Sequence, residues 1–256
     1  MDRYDFTKQP SILIQGAMES ETRYLIAQLL DAECVTLGNY KYYTGFLGKN
    51  REPVIISRTY QGMVNAAAAT SLALTHFAPK AVINQGIAGG HDDDIHLGDI
   101  VIGERIVPMG ATMWEFGEKG AGIDVRGFRP LELEIFNGKK GMTEKVVDFI
   151  CDDRLVAAAV QMESEYRTVR GVIGSADEWN NQIDRIALLR ERYQTAAEEM
   201  ESAAMAQLCV SYGVPFIGLR IISNSIVNAE DYDETVATDI QKFVLAYVET
   251  LEGVFA

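Results

Sequence analysis

The chain has 256 residues, 48% of them hydrophobic and 23% charged, an ordinary globular composition that excludes a mainly disordered or fibrous protein. Its 23 lysines and arginines against 37 aspartates and glutamates give a formal net charge of −14, which repels phosphate backbones and anionic lipid, so we expect neither a nucleic acid nor a membrane as a partner. Three widely spaced cysteines, Cys34, Cys151 and Cys209, fit neither a disulfide framework nor a tetrahedral zinc site, and they favour a reducing cytoplasm.

Apolar runs and turn residues predict the elements of the first half of the chain. In order, these are a strand over 12–16, a helix over 19–32, β-rich segments over 34–38, 42–48 and 53–58, an alanine-rich helix over 63–77, and buried strands over 80–85 and 99–107. The short polar turns between the three β-rich segments predict an antiparallel meander. The glycine-rich stretch 86–90 is expected to form a turn after its strand.

Residues 108–141 are the least periodic part of the sequence and contain seven glycines, so we expect a long loop that covers a site rather than core structure. The loop also carries five large apolar side chains, Met109, Met113, Trp114, Phe116 and Phe128. This set is too large to leave in water on a monomer. It favours a contact between two subunits over a loop folded back on its own domain.

The second half alternates helices and strands. In order, these are a helix over 143–162, a strand over 168–174, helices over 181–192 and 199–212, a strand over 215–223, and a C-terminal helix from about Glu234. The alternation predicts a single α/β domain over residues 1–256 with a mixed sheet. The first ten residues lack an apolar core, and no later run approaches the ~20 apolar residues that span a bilayer, so we expect a soluble protein that is not secreted.

The common signatures of nucleotide-binding loops, serine hydrolases and zinc proteases are absent from the sequence, and we expect no cofactor. The segment His91-Asp92-Asp93-Asp94-Ile95-His96 contains two imidazoles and three carboxylates that could coordinate a metal ion. Ligands so close in sequence seldom point at one ion, so we favour a solvated loop and expect no metal.

Three other segments place carboxylates or amides where apolar strands or helices meet, the usual location of sites in α/β sheets. They are Gly16–Glu21 after the first strand, Glu198–Ala204 at a helix start, and Arg220–Asn224 at the end of the last strand. A structural explanation also exists for each of them. Glutamates in a first helical turn are favoured by the helix dipole, and a strand arginine can simply pair with one of them.

Taken together in chain order, these segments resemble the 5′-methylthioadenosine/S-adenosylhomocysteine nucleosidases, and the resemblance covers nearly the whole chain. Its motifs are Gly-Ala-Met-Glu-Ser-Glu over 16–21, Gly-Ile-Ala-Gly-Gly over 86–90 leading to 97–101, Glu-Met-Glu-Ser-Ala-Ala over 199–204, and the strand from Pro215 through Arg220 to Ser223. The wider nucleoside phosphorylase superfamily implies a mixed sheet that curls toward a barrel and is flanked by helices. The resemblance also implies a homodimer in which the loop 108–141 of one subunit completes the other's pocket.

Cleaving an N-ribosidic bond builds positive charge on the sugar, so the site needs carboxylates near the ribose and a base for water. By resemblance, Glu21 is the general base that deprotonates the attacking water. Glu201 binds ribose hydroxyls, with Met200 packed against the sugar, and Arg220 helps to hold the water and Glu21.

The resemblance also implies contacts with the purine and the rest of the substrate. Trp179 stands where the family carries an aromatic residue that stacks on the purine; a core tryptophan at a helix start is the alternative. Met18, Ile87 and Ser223 are expected to contact the substrate as well.

The sequence departs from the family at the base. Asn224 stands where these nucleosidases carry an aspartate that assists departure of adenine, and an amide cannot deliver a proton. An amide can accept from a protonated N7 while donating to an O6 carbonyl, which suits a 6-oxopurine better than adenine. Ile87 replaces a serine, and Asn84 stands at the superfamily's phosphate-arginine position, which favours water over phosphate as the nucleophile.

Three functions therefore remain in view. The leading one is hydrolysis of the N-ribosidic bond of methylthioadenosine or S-adenosylhomocysteine. The second keeps the fold but cleaves a 6-oxopurine nucleoside such as inosine or futalosine, by water or phosphate. The third is a non-catalytic relative that binds nucleosides, and Glu21, Glu201 and Arg220 argue against it, because a binding protein needs no base for water.

Overall fold

The computed structural model describes residues 4–255, so Met1–Arg3 and Ala256, the ends of the domain expected over 1–256, lie outside the described residues. The described chain is built around one ten-stranded mixed sheet with two small hairpins beside it. Its strands are β1 (Ser11–Gly16), β2 (Leu30–Leu37), β3 (Tyr40–Leu47), β4 (Glu52–Arg58), β5 (Pro79–Gly90), β6 (Ile100–Pro108), β7 (Thr112–Trp114), β8 (Phe128–Pro130), β9 (Leu133–Asn137), β10 (Met142–Val146), β11 (Phe149–Ile150), β12 (Thr168–Ser175), β13 (Thr195–Glu199) and β14 (Phe216–Asn224). Its helices are α1 (Arg23–Ala27), α2 (Met63–His76), α3 (Asp153–Gln161), α4 (Ile183–Tyr193), α5 (Ser202–Tyr212) and α6 (Ala237–Thr250).

Five strands of the sheet close into a barrel. β5 pairs with β13 and β14, β6 pairs with β12 and β14, and β12 pairs with β13, which completes the ring. On the open side, β1 pairs in parallel with β5 and β4, and β4, β3 and β2 form an antiparallel meander. The expected α/β fold with a mixed sheet that curls toward a barrel is confirmed.

The core explains why the central strands read as continuous apolar runs. Every residue of β1 and of β14 is buried, because sheet strands covered on both faces need apolar side chains on both sides. Helices α2 and α5 pack against each other, and α6 packs against β5 and β14. The polar residues that end these buried strands are therefore held by a rigid frame.

Eight of the predicted elements are confirmed, with bounds that differ by at most two residues. They are the strands over 12–16, 42–48, 53–58, 99–107, 168–174 and 215–223 and the helices over 63–77 and 181–192.

The helix expected over 19–32 is wrong for most of its length. α1 contains only five residues, and Leu30 already pairs with Phe46 of β3. Asp31 adopts a left-handed φ of 52°, which no α-helix tolerates. Pairing with the meander, a tertiary interaction, overrides the helical spacing of the apolar residues.

The first half of the helix expected over 143–162 is also wrong. Met142–Val146 pairs with β9 in a hairpin, and α3 begins only at Asp153. The side chain of Asp152 caps this helix by accepting a hydrogen bond from the backbone N–H of Arg154 at 3.1 Å.

One barrel strand and the second half of another were not predicted from the sequence. Residues 86–90 continue β5 instead of forming a turn, and residues 195–199 form β13, so the helix expected over 199–212 begins only at Ser202. Both segments are rich in glycine, alanine or glutamate, which have low strand propensity. Only their distant partners make them strands.

The expected loop over 108–141 is partly ordered into two hairpins, β7 with β8 and β9 with β10. Met109 and Phe128 are buried in a second apolar cluster against α4, so these two side chains fold back on their own chain. Trp114 and Phe116 stay exposed, by 53% and 92%. The apolar set is thus divided between the core and the surface.

Across residues 4–255 we find no helix with the length and apolar character needed to cross a membrane. Cys34 is exposed, Cys151 and Cys209 are buried, and all three are free thiols.

Candidate active site

One open pocket lies where β5, β13 and β14 meet the turn after β1, with about 620 Å³ of empty space including its mouth to solvent. Edges of this kind are where α/β sheets hold their sites. The described residues that line it are Ala17, Met18, Glu21, Gln61, Ile87, Ala88, Gly89, Glu178, Trp179, Asn180, Glu198, Glu199, Met200, Glu201, Ser223, Asn224 and Tyr232. Eight of the nine residues expected from the sequence are in this set, and the ninth, Arg220, lies behind the pocket wall.

Glu21 stands on the turn after β1 and is 4% exposed. Its Oε2 accepts hydrogen bonds from the backbone N–H groups of Ala17 at 2.7 Å and Met18 at 2.9 Å, and its Oε1 accepts from the N–H of Ile87 at 2.9 Å. The carboxylate is thus fixed between the ends of β1 and β5. A carboxylate fixed at a pocket wall can take a proton from a bound water.

Gly86 makes this approach of strand and carboxylate possible. A Cβ at this position would lie 2.3 Å from Glu21 Oε1 and 3.2 Å from Arg220 Nη1. Burial raises the pKa of the Glu21 carboxyl, against the opposing effects of the Arg220 charge and the backbone N–H donors. A raised pKa makes the carboxylate a stronger proton acceptor, as a general base requires.

Glu201 directly precedes α5, but its side chain reaches the start of α2. Its Oε1 accepts from the backbone N–H of Gly62 at 2.8 Å, and its Oε2 lies 3.9 Å from Arg220 Nη2. Burial raises the pKa of Glu201 to about 8, with a further contribution from the charge of Glu199 and an opposing one from Arg220. Positive charge that develops on a bound sugar would favour the ionised form of this carboxyl.

Arg220 is 2% exposed and is held by a polar cluster behind the pocket. Its Nη2 donates to Glu199, to Asn84 Oδ1 and to Ser202 Oγ. Glu199 also accepts from the N–H groups of Glu201 and Ser202, so it fixes the start of α5. No hydrogen bond joins Arg220 to Glu21 within the described chain. The arginine acts on the carboxylate through its charge.

Asn224 and Ser223 end β14 at the other side of the pocket. Asn224 is 9% exposed, and its Oδ1 accepts from Ser223 Oγ at 3.0 Å. Ser223 Oγ also lies 3.2 Å from the carbonyl oxygen of Ala88. The pocket-facing amide therefore has its Nδ2 donor group available.

Trp179 is not a core residue, because its side chain is 62% exposed. Its Nε1 donates to Asn181 Oδ1 at 3.0 Å, and its ring meets that of Tyr232 edge-on at 5.6 Å. The two rings form an apolar rim at the pocket mouth. A rim of this kind can pack on a flat heteroaromatic ring.

Glu198, Asn180 and His91 were not among the site residues expected from the sequence, although Glu198 opens the candidate segment Glu198–Ala204. Glu198 accepts from Asn180 Nδ2 at 2.7 Å and from the Asn180 N–H at 3.2 Å, and its Oε2 lies 3.0 Å from His91 Nε2. His91 Nδ1 contacts Thr195 Oγ1 at 2.8 Å. The signal that could have revealed Glu198 is a second carboxylate beside Glu199, but the strand that directs it to the pocket was not predicted.

The acidic segment after β5 is separate from this site. Asp92, Asp93 and Asp94 bring carboxylate oxygens within 4.8 Å of one another, and Arg190 pairs with the first two. His91 and His96 point elsewhere, to Thr195 and to Glu230. The expectation of a metal-free loop stays a prediction.

The charged side chains among the described lining residues are all acidic. Five glutamates line the pocket wall, Glu21, Glu178, Glu198, Glu199 and Glu201, and no lysine or arginine is found among the described lining residues. Such a wall repels a phosphate ion and favours a ligand on which positive charge develops.

Known proteins match this chain over nearly its whole length. The phosphorylase superfamily matches residues 11–255. A 5′-methylthioadenosine/S-adenosylhomocysteine nucleosidase from Bacillus cereus is 31% identical over 94% of this chain and 99% of its own. A nucleosidase of the same name from Colwellia psychrerythraea, solved with adenine, is 28% identical, with a TM-score of 0.72 over 96% of this chain and 97% of its own.

A third similar structure is a mutant futalosine hydrolase from Helicobacter pylori, 25% identical, with a TM-score of 0.74 over 94% of this chain and 99% of its own. The match of sequence and fold over almost the full length decides the family. The chain belongs to the 5′-methylthioadenosine/S-adenosylhomocysteine nucleosidase family of the phosphorylase superfamily.

Proposed function

We propose that this protein is a purine nucleosidase, which hydrolyses the N-ribosidic bond of a purine nucleoside. The observation that carries the proposal is the convergence of Glu21, Glu201 and the base-side amide of Asn224 on one pocket. The relatives' names make methylthioadenosine and S-adenosylhomocysteine the first substrates to test.

In this reaction a water oxygen attacks C1′ as the C1′–N9 bond breaks, and the purine leaves with the bonding electron pair. Glu21 takes the proton of the water, since its carboxylate is fixed at the wall and burial raises its pKa. Glu201 accepts hydrogen bonds from the ribose hydroxyls. The glutamates of the pocket wall stabilise the positive charge that develops on the sugar. Met18, Ile87 and Met200 supply the apolar surface against which the substrate packs.

Arg220 acts as a positioning residue. Its hydrogen bonds to Glu199 and Ser202 connect the middle of β14 to the start of α5, which directly follows Glu201. Its charge also opposes the effect of burial on Glu21. The positive charge of Arg220 therefore favours the ionised forms of Glu21 and Glu201 in one buried site.

Water is the nucleophile that this pocket favours. The pocket wall carries five glutamates. Asn84, at the position of the superfamily's phosphate-binding arginine, accepts hydrogen bonds from Ser202 and Arg220. A phosphate ion needs cationic or hydroxyl partners. We therefore expect free ribose or its 5′-substituted form, not a sugar phosphate.

The test is to incubate the protein with methylthioadenosine, S-adenosylhomocysteine, adenosine and inosine, with and without phosphate, and to identify the released base and sugar. Release of base that does not depend on phosphate supports the proposal. Formation of a sugar 1-phosphate would assign a phosphorylase instead. Binding of nucleosides without any release of base would identify a non-catalytic nucleoside-binding protein.

A second candidate keeps the reaction but changes the base. Asn224 offers an amide where a proton donor would assist the departure of adenine, and an amide matches the carbonyl of a 6-oxopurine. The similarity to a futalosine hydrolase agrees with this candidate. Inosine in the same assay separates the two.

We further propose a homodimer formed through the loop over 108–141. Phe116, Ile123 and Val125 of this loop are exposed by 92%, 82% and 65%, and a partner subunit would cover these apolar side chains. Sedimentation at micromolar concentration should give a dimer, and a stable monomer would refute the assignment. The free thiols agree with a cytoplasmic location, which cell fractionation would test.

A further inference from the structure

The floor of the pocket at its base side is a bare stretch of backbone at Gly89. In the barrel, Glu198 of β13 and Asn224 of β14 are both register partners of Gly89 on β5, one from each side. A Cβ on Gly89 would lie 3.6 Å from Asn224 Nδ2 and 3.6 Å from Glu198 Cγ. The two side chains therefore stand on the same face of the sheet, above the only residue of the three without a side chain.

Neighbouring strands lie ~4.8 Å apart, so the backbones of Glu198 and Asn224 are separated by two strand spacings. The gap between them is a flat slot with a carboxylate on one side and an amide on the other. A planar base edge, inserted over Gly89, would meet both groups at once.

The amide side of the slot offers a donor. Asn224 Oδ1 is occupied by Ser223 Oγ at 3.0 Å, which directs Nδ2 toward Gly89. This NH₂ group matches an acceptor on the ligand, and it lines the pocket.

The carboxylate side offers an acceptor that is held in place. Asn180 donates to Glu198 twice, and His91 lies beside Oε2. A carboxylate has about four acceptor sites, and Oε1 receives only the longer bond, 3.2 Å from the Asn180 N–H. Oε1 therefore retains capacity to accept from a ligand.

We propose that Glu198 and Asn224 select a 6-oxopurine as the base, with Glu198 accepting from N1–H and Asn224 donating to O6. A 6-oxopurine carries an acceptor and a donor side by side on this edge, and the protein presents their complements. Adenine carries the reverse pattern, with N1 as an acceptor facing the carboxylate, and two facing acceptors repel. This inference rests on the proposed hydrolysis and names its base; Glu198 is the specificity-determining residue.

The inference is tested by binding and by turnover on three variants. Glu198→Val removes the acceptor, Glu198→Gln replaces one acceptor by a donor, and Glu134→Gln, on an exposed site of β9, is the matched control. Titration calorimetry with free hypoxanthine and free adenine measures the base preference without any need for turnover. Denaturant unfolding of each variant reports whether the fold is intact.

We expect wild-type protein and Glu134→Gln to prefer hypoxanthine, and Glu198→Val to lose at least about 10-fold of that preference. Glu198→Gln should move the preference toward adenine, since its NH₂ can donate to N1. 1-Methylinosine, which lacks the N1–H, should be a poorer substrate than inosine for wild type but not for Glu198→Val. An adenine preference in the wild-type protein, or variants that keep the wild-type preference, would overturn the inference.

The two proposals fail in different ways. If no nucleoside is hydrolysed but hypoxanthine binds through Glu198, the hydrolysis is wrong and the base assignment stands. If hydrolysis proceeds with a base preference that is indifferent to Glu198, the base assignment is wrong and the reaction stands.

Discussion

The two sides of the pocket are built in different ways. At the sugar side, Glu21 and Glu201 are held mainly by backbone N–H groups, those of Ala17, Met18, Ile87 and Gly62. At the base side, Glu198 and Asn224 come from two strands that meet only across β5. Side chains hold them, together with one longer hydrogen bond from the backbone N–H of Asn180 to Glu198.

This difference separates reaction from specificity. Backbone donors do not change when a side chain is substituted, so the sugar side can keep its geometry while the base side varies. Side-chain contacts at the base side can be exchanged one at a time, which lets the same fold accept a different purine. Substitutions on each side should therefore affect different kinetic quantities.

The largest effect is expected at the sugar side from Glu21→Gln. The change keeps the shape and most hydrogen bonds but removes the base, so kcat should fall by ~10² to 10⁴ while the affinity for the free base changes little. Steady-state kinetics with the best nucleoside, together with calorimetry of the free base, measures both. Turnover within a few-fold of wild type would show that another group activates the water.

Alanine substitutions at two glycines of β5 compare the sugar side and the base side of the pocket directly. Gly86→Ala would place a Cβ 2.3 Å from Glu21 Oε1, so Glu21 must shift and kcat should fall by about 10². In Gly89→Ala, the new Cβ would lie 3.6 Å or more from its nearest neighbours, so the fold should persist. The methyl group would occupy the floor of the pocket under the base, and KM should therefore rise. If both variants change kcat and KM in the same proportion, the division into two sides is wrong.

Asn224→Asp sharpens the comparison at the base side. With a 6-oxopurine, an acceptor replaces the donor that faces O6, and kcat/KM for inosine should fall about 10-fold. With an adenine nucleoside, the new carboxyl can assist N7, and turnover of methylthioadenosine should rise by a similar factor. Four kcat/KM values that all stay within two-fold would mean that Asn224 does not face the base.

The remaining effect is on stability, not on turnover, and concerns Glu201. Its pKa is raised by burial from the ordinary value of 4.5 to about 8, so the folded state holds its proton more tightly than the unfolded chain does. The stabilisation is complete below about pH 4.5 and is lost as the pH rises toward about 8, with a slope of at most about 1.4 kcal/mol per pH unit from this group.

Glu201→Gln should remove this part of the pH dependence, and Glu134→Gln should keep it. Urea unfolding at several pH values between 5 and 8 measures the slope. An identical slope in wild type and Glu201→Gln would exclude Glu201 as the titrating group.

The sequence by itself determined the strands that are buried on both faces and the motifs that follow them. β1 and β14 read as apolar runs because both of their faces are covered. Glu21, Glu201 and Asn224 could be found because each stands within a motif of a few residues. For the same reason, the α/β class and the eight lining residues could be named before the structure was known.

Only the tertiary structure decided which weak segments became strands, and thereby how the base side is assembled. Residues 86–90 and 195–199 have no strand pattern of their own, and they pair because the barrel must close. Glu198 faces the pocket only as a consequence of that pairing, so the local pattern placed it in a candidate segment without showing that its side chain lines the pocket. Contacts between residues more than a hundred positions apart, such as that of Glu198 with Gly89, depend on the closure of the whole sheet and not on local propensity.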